Sequence, residues 1–185
     1  MVTSKKTKKA AKASPKAAAA KDITIRPRKT IMWVNHFDLL PGDPSVTTTF
    51  NAVNSGVGGG LTGLVIQSST TGENASGGGN KVVHMGLQVP PGYSIRAVRV
   101  CYELTNKRSF ISQIRLAQVQ NPPATASVIL DDGTDQTNPG PICVDSAATN
   151  VDPSLGEVLL SLRVNFGNTS DKICVRAVGL ILTSA

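Results

Sequence analysis

Histidine, cysteine and clustered carboxylate are the side chains that most often do chemistry, and this chain uses them sparingly. It has two histidines in 185 residues. His36 lies in an apolar run beside Trp33 and Phe37, and His84 sits between Val83 and Met85. No nucleophile elbow is present, and the members of a Ser-His-Asp or Cys-His set meet in space rather than in sequence. The sequence therefore assigns no catalytic residue, and no enzymatic activity is expected. Cys101, Cys143 and Cys174 contain no C-x₂₋₄-C pair of the structural zinc type. Their odd number, without an export signal, favours reduced thiols, with Cys101 and Cys174 as small buried hydrophobes in apolar runs. Asp131, Asp132 and Asp135 surround Gly133 and offer the oxygen ligands that calcium takes. They lack the EF-hand order and its terminal Glu, so a solvated acidic turn explains them. No metal and no other cofactor is expected.

Charge is distributed more tellingly. Lys5, Lys6, Lys8, Lys9, Lys12, Lys16, Lys21, Arg26, Arg28 and Lys29 crowd the first 29 residues, against one acid, Asp22. The rest of the chain is weakly acidic, so the formal charge of +7 belongs to an arm rather than to the whole surface. This arm of Lys, Ala, Ser, Thr and Pro offers almost nothing to bury before Ile23 and is expected to be disordered in isolation. Its charge density suits nonspecific neutralisation of nucleic-acid phosphates, and without interleaved aromatics it suits no sequence readout. The ten basic residues are thus the candidate nucleic-acid-binding set. A solubilising or localising tail is the simpler alternative. No run approaches the ~20 apolar residues of a membrane span. The start lacks the apolar core of a secretory signal. A virion or intracellular location is expected.

The elements that must position any site are strands. Val158, Leu160, Leu162, Val164 and Phe166 share one face, with Ser161, Arg163 and Asn165 on the other. That period of two marks a half-buried strand. Residues 81–89, 94–104 and 110–119 repeat it, and further strands are expected at 30–39, 46–52, 62–67, 126–130, 141–147 and 172–183. Pro41-Gly42, Pro90-Pro91-Gly92, Asn138-Pro139-Gly140 and Asp152-Pro153 punctuate them. No helical stripe is present to serve a parallel crossover. The glycine-rich stretches 54–60 and 68–80 read as flexible surface loops. The fold class is all-β: an arm at 1–29, then one antiparallel, jelly-roll-like β-sandwich at 30–185.

Residues 89–119, VPPGYSIRAVRVCYELTNKRSFISQIRLAQV, resemble bacterial and phage jelly-roll-like domains. In those a Pro-Pro-Gly turn leads into a strand of alternating valines and then an Ile-x-Leu strand; the closing strand at 175–182 fits the same pattern. The layout of a Lys-rich arm before a β domain resembles small icosahedral virus coat proteins. That resemblance implies a non-enzymatic, self-assembling coat-like protein, a homo-oligomer whose arm binds nucleic acid. The alternative is a β-sandwich module that binds a carbohydrate or protein ligand. The aromatics, one Trp (Trp33) and two Tyr (Tyr93, Tyr102), with Tyr102 assigned to the core, are few for a sugar platform.

Overall fold

The computed structural model describes residues 29–51, 63–120 and 125–184. The basic residues from Lys5 to Arg28 and the glycine-rich stretch 54–60 lie outside them. The strands are β1 (Lys29–Val34), β2 (Leu40–Pro41), β3 (Val46–Asn51), β4 (Gly63–Ser68), β5 (Val82–Leu87) and β6 (Tyr93–Leu104). They continue with β7 (Phe110–Gln120), β8 (Ala126–Asp132), β9 (Ile142–Asp145), β10 (Gly156–Asn165) and β11 (Ile173–Ser184). Two short 3₁₀ turns, His36–Asp38 and Pro153–Leu155, are the only helical segments described.

The strands form two antiparallel sheets. One runs β3-β4-β11-β6-β9, with β1 also paired to β11, and the other runs β2-β5-β10-β7-β8. The period-two reading of β10 holds residue by residue, since Val158, Leu160, Leu162, Val164 and Phe166 are all buried in the core. They face Val98, Val100, Tyr102, Val178 and Leu180 from the other sheet in one hydrophobic cluster. Burial of alternating β-branched and Leu side chains is what joins the two layers. On the opposite face of β10, Ser161 stands level with the exposed His84 on one side and Arg115 on the other.

Two expectations are corrected. Cys101 and Cys143 face one another across β6 and β9 in strict register and form a disulfide, so three reduced thiols are not what the fold holds. Cys174 is buried, as expected. The stretch 68–80 is not a loose loop. Lys81 is fully buried, and its ammonium donates to the carbonyls of Thr70, Thr71 and Gly72 at 2.7–2.9 Å. Backbone bonds from Gly72 to Phe166 and from Lys81 to Glu73 complete the tie. A charged side chain supplies the bonds that a glycine-rich loop lacks apolar residues to replace.

Candidate ligand-binding site

The sequence β1 alternates Ile31 and Trp33 with Met32 and Val34, all apolar, so the pattern alone does not say which pair faces in. Met32 and Val34 pack against the core, and Ile31 and Trp33 project outward. Trp33 lies opposite Gly179 of β11. An added Cβ at Gly179 would sit 3.0–3.1 Å from Cε3 and Cζ3 of the indole and 3.0 Å from Cγ2 of Ile31. The glycine is therefore the seat of the ring: no side chain at 179 props the indole off the sheet. Trp33 nevertheless remains 56% exposed, an unusual state for the chain's one tryptophan.

Beside this ring a groove of about 220 Å³ runs between β1 and β5. Met32, Trp33, Val34, Met85 and Gly86 line it, with Asn35, Asp38 and Gln88 as its polar groups. The 3₁₀ turn after β1 positions Asn35 and Asp38. Asn35 caps that turn, its Oδ1 accepting from the Phe37 amide at 3.3 Å and its Nδ2 donating to Asp38 Oδ1 at 2.8 Å. Phe37 meets Phe50 of β3 edge to face, with ring centroids 4.6 Å apart, and His36 meets Phe37 at 4.1 Å. Burial holds the His36 imidazole below its ordinary pKa, favouring the neutral ring. An apolar floor with a few placed polar groups is the usual make-up of a small-ligand site. A larger groove of about 380 Å³ lies between Leu87–Val89 and Pro153–Val158 and has no aromatic lining.

The sequence-predicted site residues fall elsewhere. Of the basic set only Lys29 is described; it opens β1 opposite Thr183, exposed. The three aspartates do not converge. Asp131 accepts from Gln113 and from Arg115, and Asp132 accepts from the Thr134 and Ala147 amides. Burial pushes the Asp132 carboxyl up, but those bonds prevail and hold it below its ordinary value. Asp135 is exposed. Among the described residues no group of three His, Cys, Asp or Glu side chains is placed to hold a metal, so the calcium arrangement is not formed. Asn35, Asp38, Gln88 and Gly179 were not singled out by sequence as a site, and Trp33 entered only as one of too few aromatics for a sugar platform. The Asn35-x-x-Asp38 spacing is a turn signature as much as a binding one.

No protein-family model matches the chain, and no curated protein matches it in sequence. Similar solved structures include carbohydrate-binding modules. One is the CBM22-1–GH10 portion of Clostridium thermocellum xylanase 10B complexed with xylohexaose: 10% identity, TM-score 0.48, 88% of this chain but only 29% of that one. The C-terminal family 22 module of the same xylanase gives 9% identity and TM-score 0.47, over 78% of this chain and 86% of the module. A CBM36 module in complex with calcium and xylotriose gives 9% and 0.39, over 82% and 98%. The coat-like reading is corrected here: the similar structures named above are carbohydrate-binding modules, not shell proteins. The capsid assignment, the nonspecific nucleic-acid partner and the expected homo-oligomer are withdrawn with it. A basic arm ahead of a sandwich is a layout, and a sandwich hosts many functions, so the layout alone could not choose between them.

Proposed function

We propose that the β-sandwich is a non-catalytic ligand-binding module that takes a neutral glycan on Trp33 and in the adjoining β1–β5 groove. The observation that carries this reading is the exposed indole lying on Gly179. A pyranose ring presents its axial C–H bonds as an apolar face, and a flat aromatic surface held at the rim of a groove matches that face. Asn35, Asp38 and Gln88 then serve as hydrogen-bond partners for hydroxyls, each offering acceptors that an uncharged sugar can satisfy. The non-catalytic part of the reading has its own support. Two-carboxylate glycoside hydrolysis needs a pair of acids flanking the bond, whereas Asp38 is the one carboxylate among the groove residues. The basic segment before Lys29 is, on this reading, a solubilising or localising tail.

Native electrophoresis of the full chain through gels containing soluble xylan, glucomannan or amylose tests the proposal. Retardation by at least one polysaccharide, lost in Trp33→Ala, is expected. Migration unaffected by every member of the panel, or retardation unchanged in Trp33→Ala, would overturn it.

A further inference from the structure

Among the described residues, His36 Nε2 is the one buried side-chain polar atom without a hydrogen-bond partner. Native interiors satisfy nearly all such atoms, and an exception calls for an explanation. His36 opens the short turn that Asn35 caps and that ends at Asp38, and Asn35 and Asp38 are two of the groove's three polar residues. We infer that His36 is a positioning residue for the groove: its neutral imidazole holds the turn, and protonating the ring releases the turn and weakens ligand binding. The inference rests on the groove being the ligand site.

The turn is three residues long, closed by backbone bonds from Asp38 N–H to Asn35 O at 3.1 Å and from Leu39 N–H to His36 O at 3.4 Å. It is braced by the Asn35 side chain, by the buried Leu39 that follows, and by the ring contacts of His36 with Phe37 and of Phe37 with Phe50. Burial with no hydrogen-bond partner at Nε2 favours the neutral ring, since an imidazolium there would leave a charged N–H unsatisfied. Among the described residues, the elements packed around it offer no spare counter-charge. β3 and β4 contain no ionisable residue, and neither does β2. β11 carries Arg176, which pairs with Glu103, and β1 carries only Lys29 at its far end. That leaves Asp38 in the turn itself, whose carboxylate already accepts from Asn35 and lines the groove. Among the described residues of these elements, Asp38 is the carboxylate left to compensate a protonated His36, and doing so draws it away from the ligand.

The sign follows. Burial depresses the folded-state pKa, so the released state takes up the proton first. The turn is fully held above the ordinary histidine value of about 6.5 and loses its hold as pH falls below it.

Trp33 is the chain's one tryptophan, so its emission reports on the groove without any ligand. Full-length protein titrated from pH 8 to pH 5 should show an emission change with a midpoint below about 6.5. His84→Asn should keep the change and His36→Phe should abolish it. Should His36→Phe fail to fold, proton NMR of the wild-type protein decides the matter: the His36 imidazole should titrate below the ordinary histidine value of about 6.5, in step with the Trp33 signal. Glycan retardation by the best-binding panel member should fall at least about tenfold in affinity between pH 8 and pH 5, about 1.4 kcal/mol. A transition that persists in His36→Phe, or an emission unchanged while His36 titrates, overturns the inference. Binding that is absent even at pH 8 removes the glycan reading instead, and the emission transition still tests the hold of His36 on the turn.

Discussion

Trp33 and Gly179 act as one unit, and two substitutions separate its parts. Trp33→Ala removes the stacking surface and should weaken glycan binding by about 2 kcal/mol, roughly thirtyfold. Gly179→Val leaves the ring in place chemically but drives two methyl groups into Cε3 and Cζ3, already 3.0–3.1 Å from a bare Cβ. It should cost comparable affinity by lifting the indole off the sheet, with little change in thermal stability because the ring is outside the core. Affinity gels and a thermal melt of each variant check both statements. Inside the core the contrast runs the other way. Leu160→Ala, at 0% exposure, should cost about 2–5 kcal/mol through lost burial and a residual cavity. Arg163→Ala, on the outer face with Glu73 and Ser112 as its partners, should cost under about 1 kcal/mol. Urea denaturation distinguishes them. The core residues were legible because one face of β10 is polar. Trp33 was not, because both faces of β1 are apolar and only the packed sheet shows that Gly179 leaves room for the indole outside.

At the scale of elements, ten of the strands announced themselves by alternation and turn residues, within a few positions of where they lie. The one expected at 30–39 is in fact β1 followed by the turn that builds the groove, because Asn35 caps at that point. Register was the illegible part. Nothing in the spacing of the cysteines says that β6 and β9 pair so as to place Cys101 against Cys143; the chain between them passes through β7 and β8 of the other sheet. Closing a loop with a sequence separation of 42 residues should stabilise the fold by roughly 3–4 kcal/mol through the unfolded chain. Melts with and without a phosphine reductant should therefore differ by several degrees, and Cys143→Ser should melt like the reduced wild type. Lys81 makes the same point for the loop at 68–80. Its three carbonyl partners come from residues nine to eleven positions back, which no local pattern encodes. Lys81→Met would strand those carbonyls in a buried site and should cost at least about 2–3 kcal/mol. A melt indistinguishable from wild type would show that the ammonium is not what orders the loop.

For the molecule as a whole, the split between a basic arm and a weakly acidic body was the plainest sequence feature and the least diagnostic of function. Charge speaks to solubility and long-range attraction, not to what a sandwich face recognises. The folded body has its own pH signature. Hydrogen bonds from Arg99 hold the Asp145 carboxyl below its ordinary value, and those from Arg108 and Ser109 do the same for Asp171. Carboxylates depressed in the folded state contribute stability above the ordinary carboxylate value and lose it as pH falls through their lower folded values. The melting temperature should therefore drop steeply below about pH 4, and less steeply below about pH 6.5 where His36 enters. A flat profile down to pH 3 would contradict those ion pairs. The central claim, a glycan seated on Trp33, is tested most directly by following the emission of that tryptophan at pH 8 while adding the polysaccharide that retards the protein most. A saturable change in emission that matches the retardation isotherm is the expected result. Saturating binding with no change in the Trp33 signal, or no polysaccharide that binds at all, would contradict it.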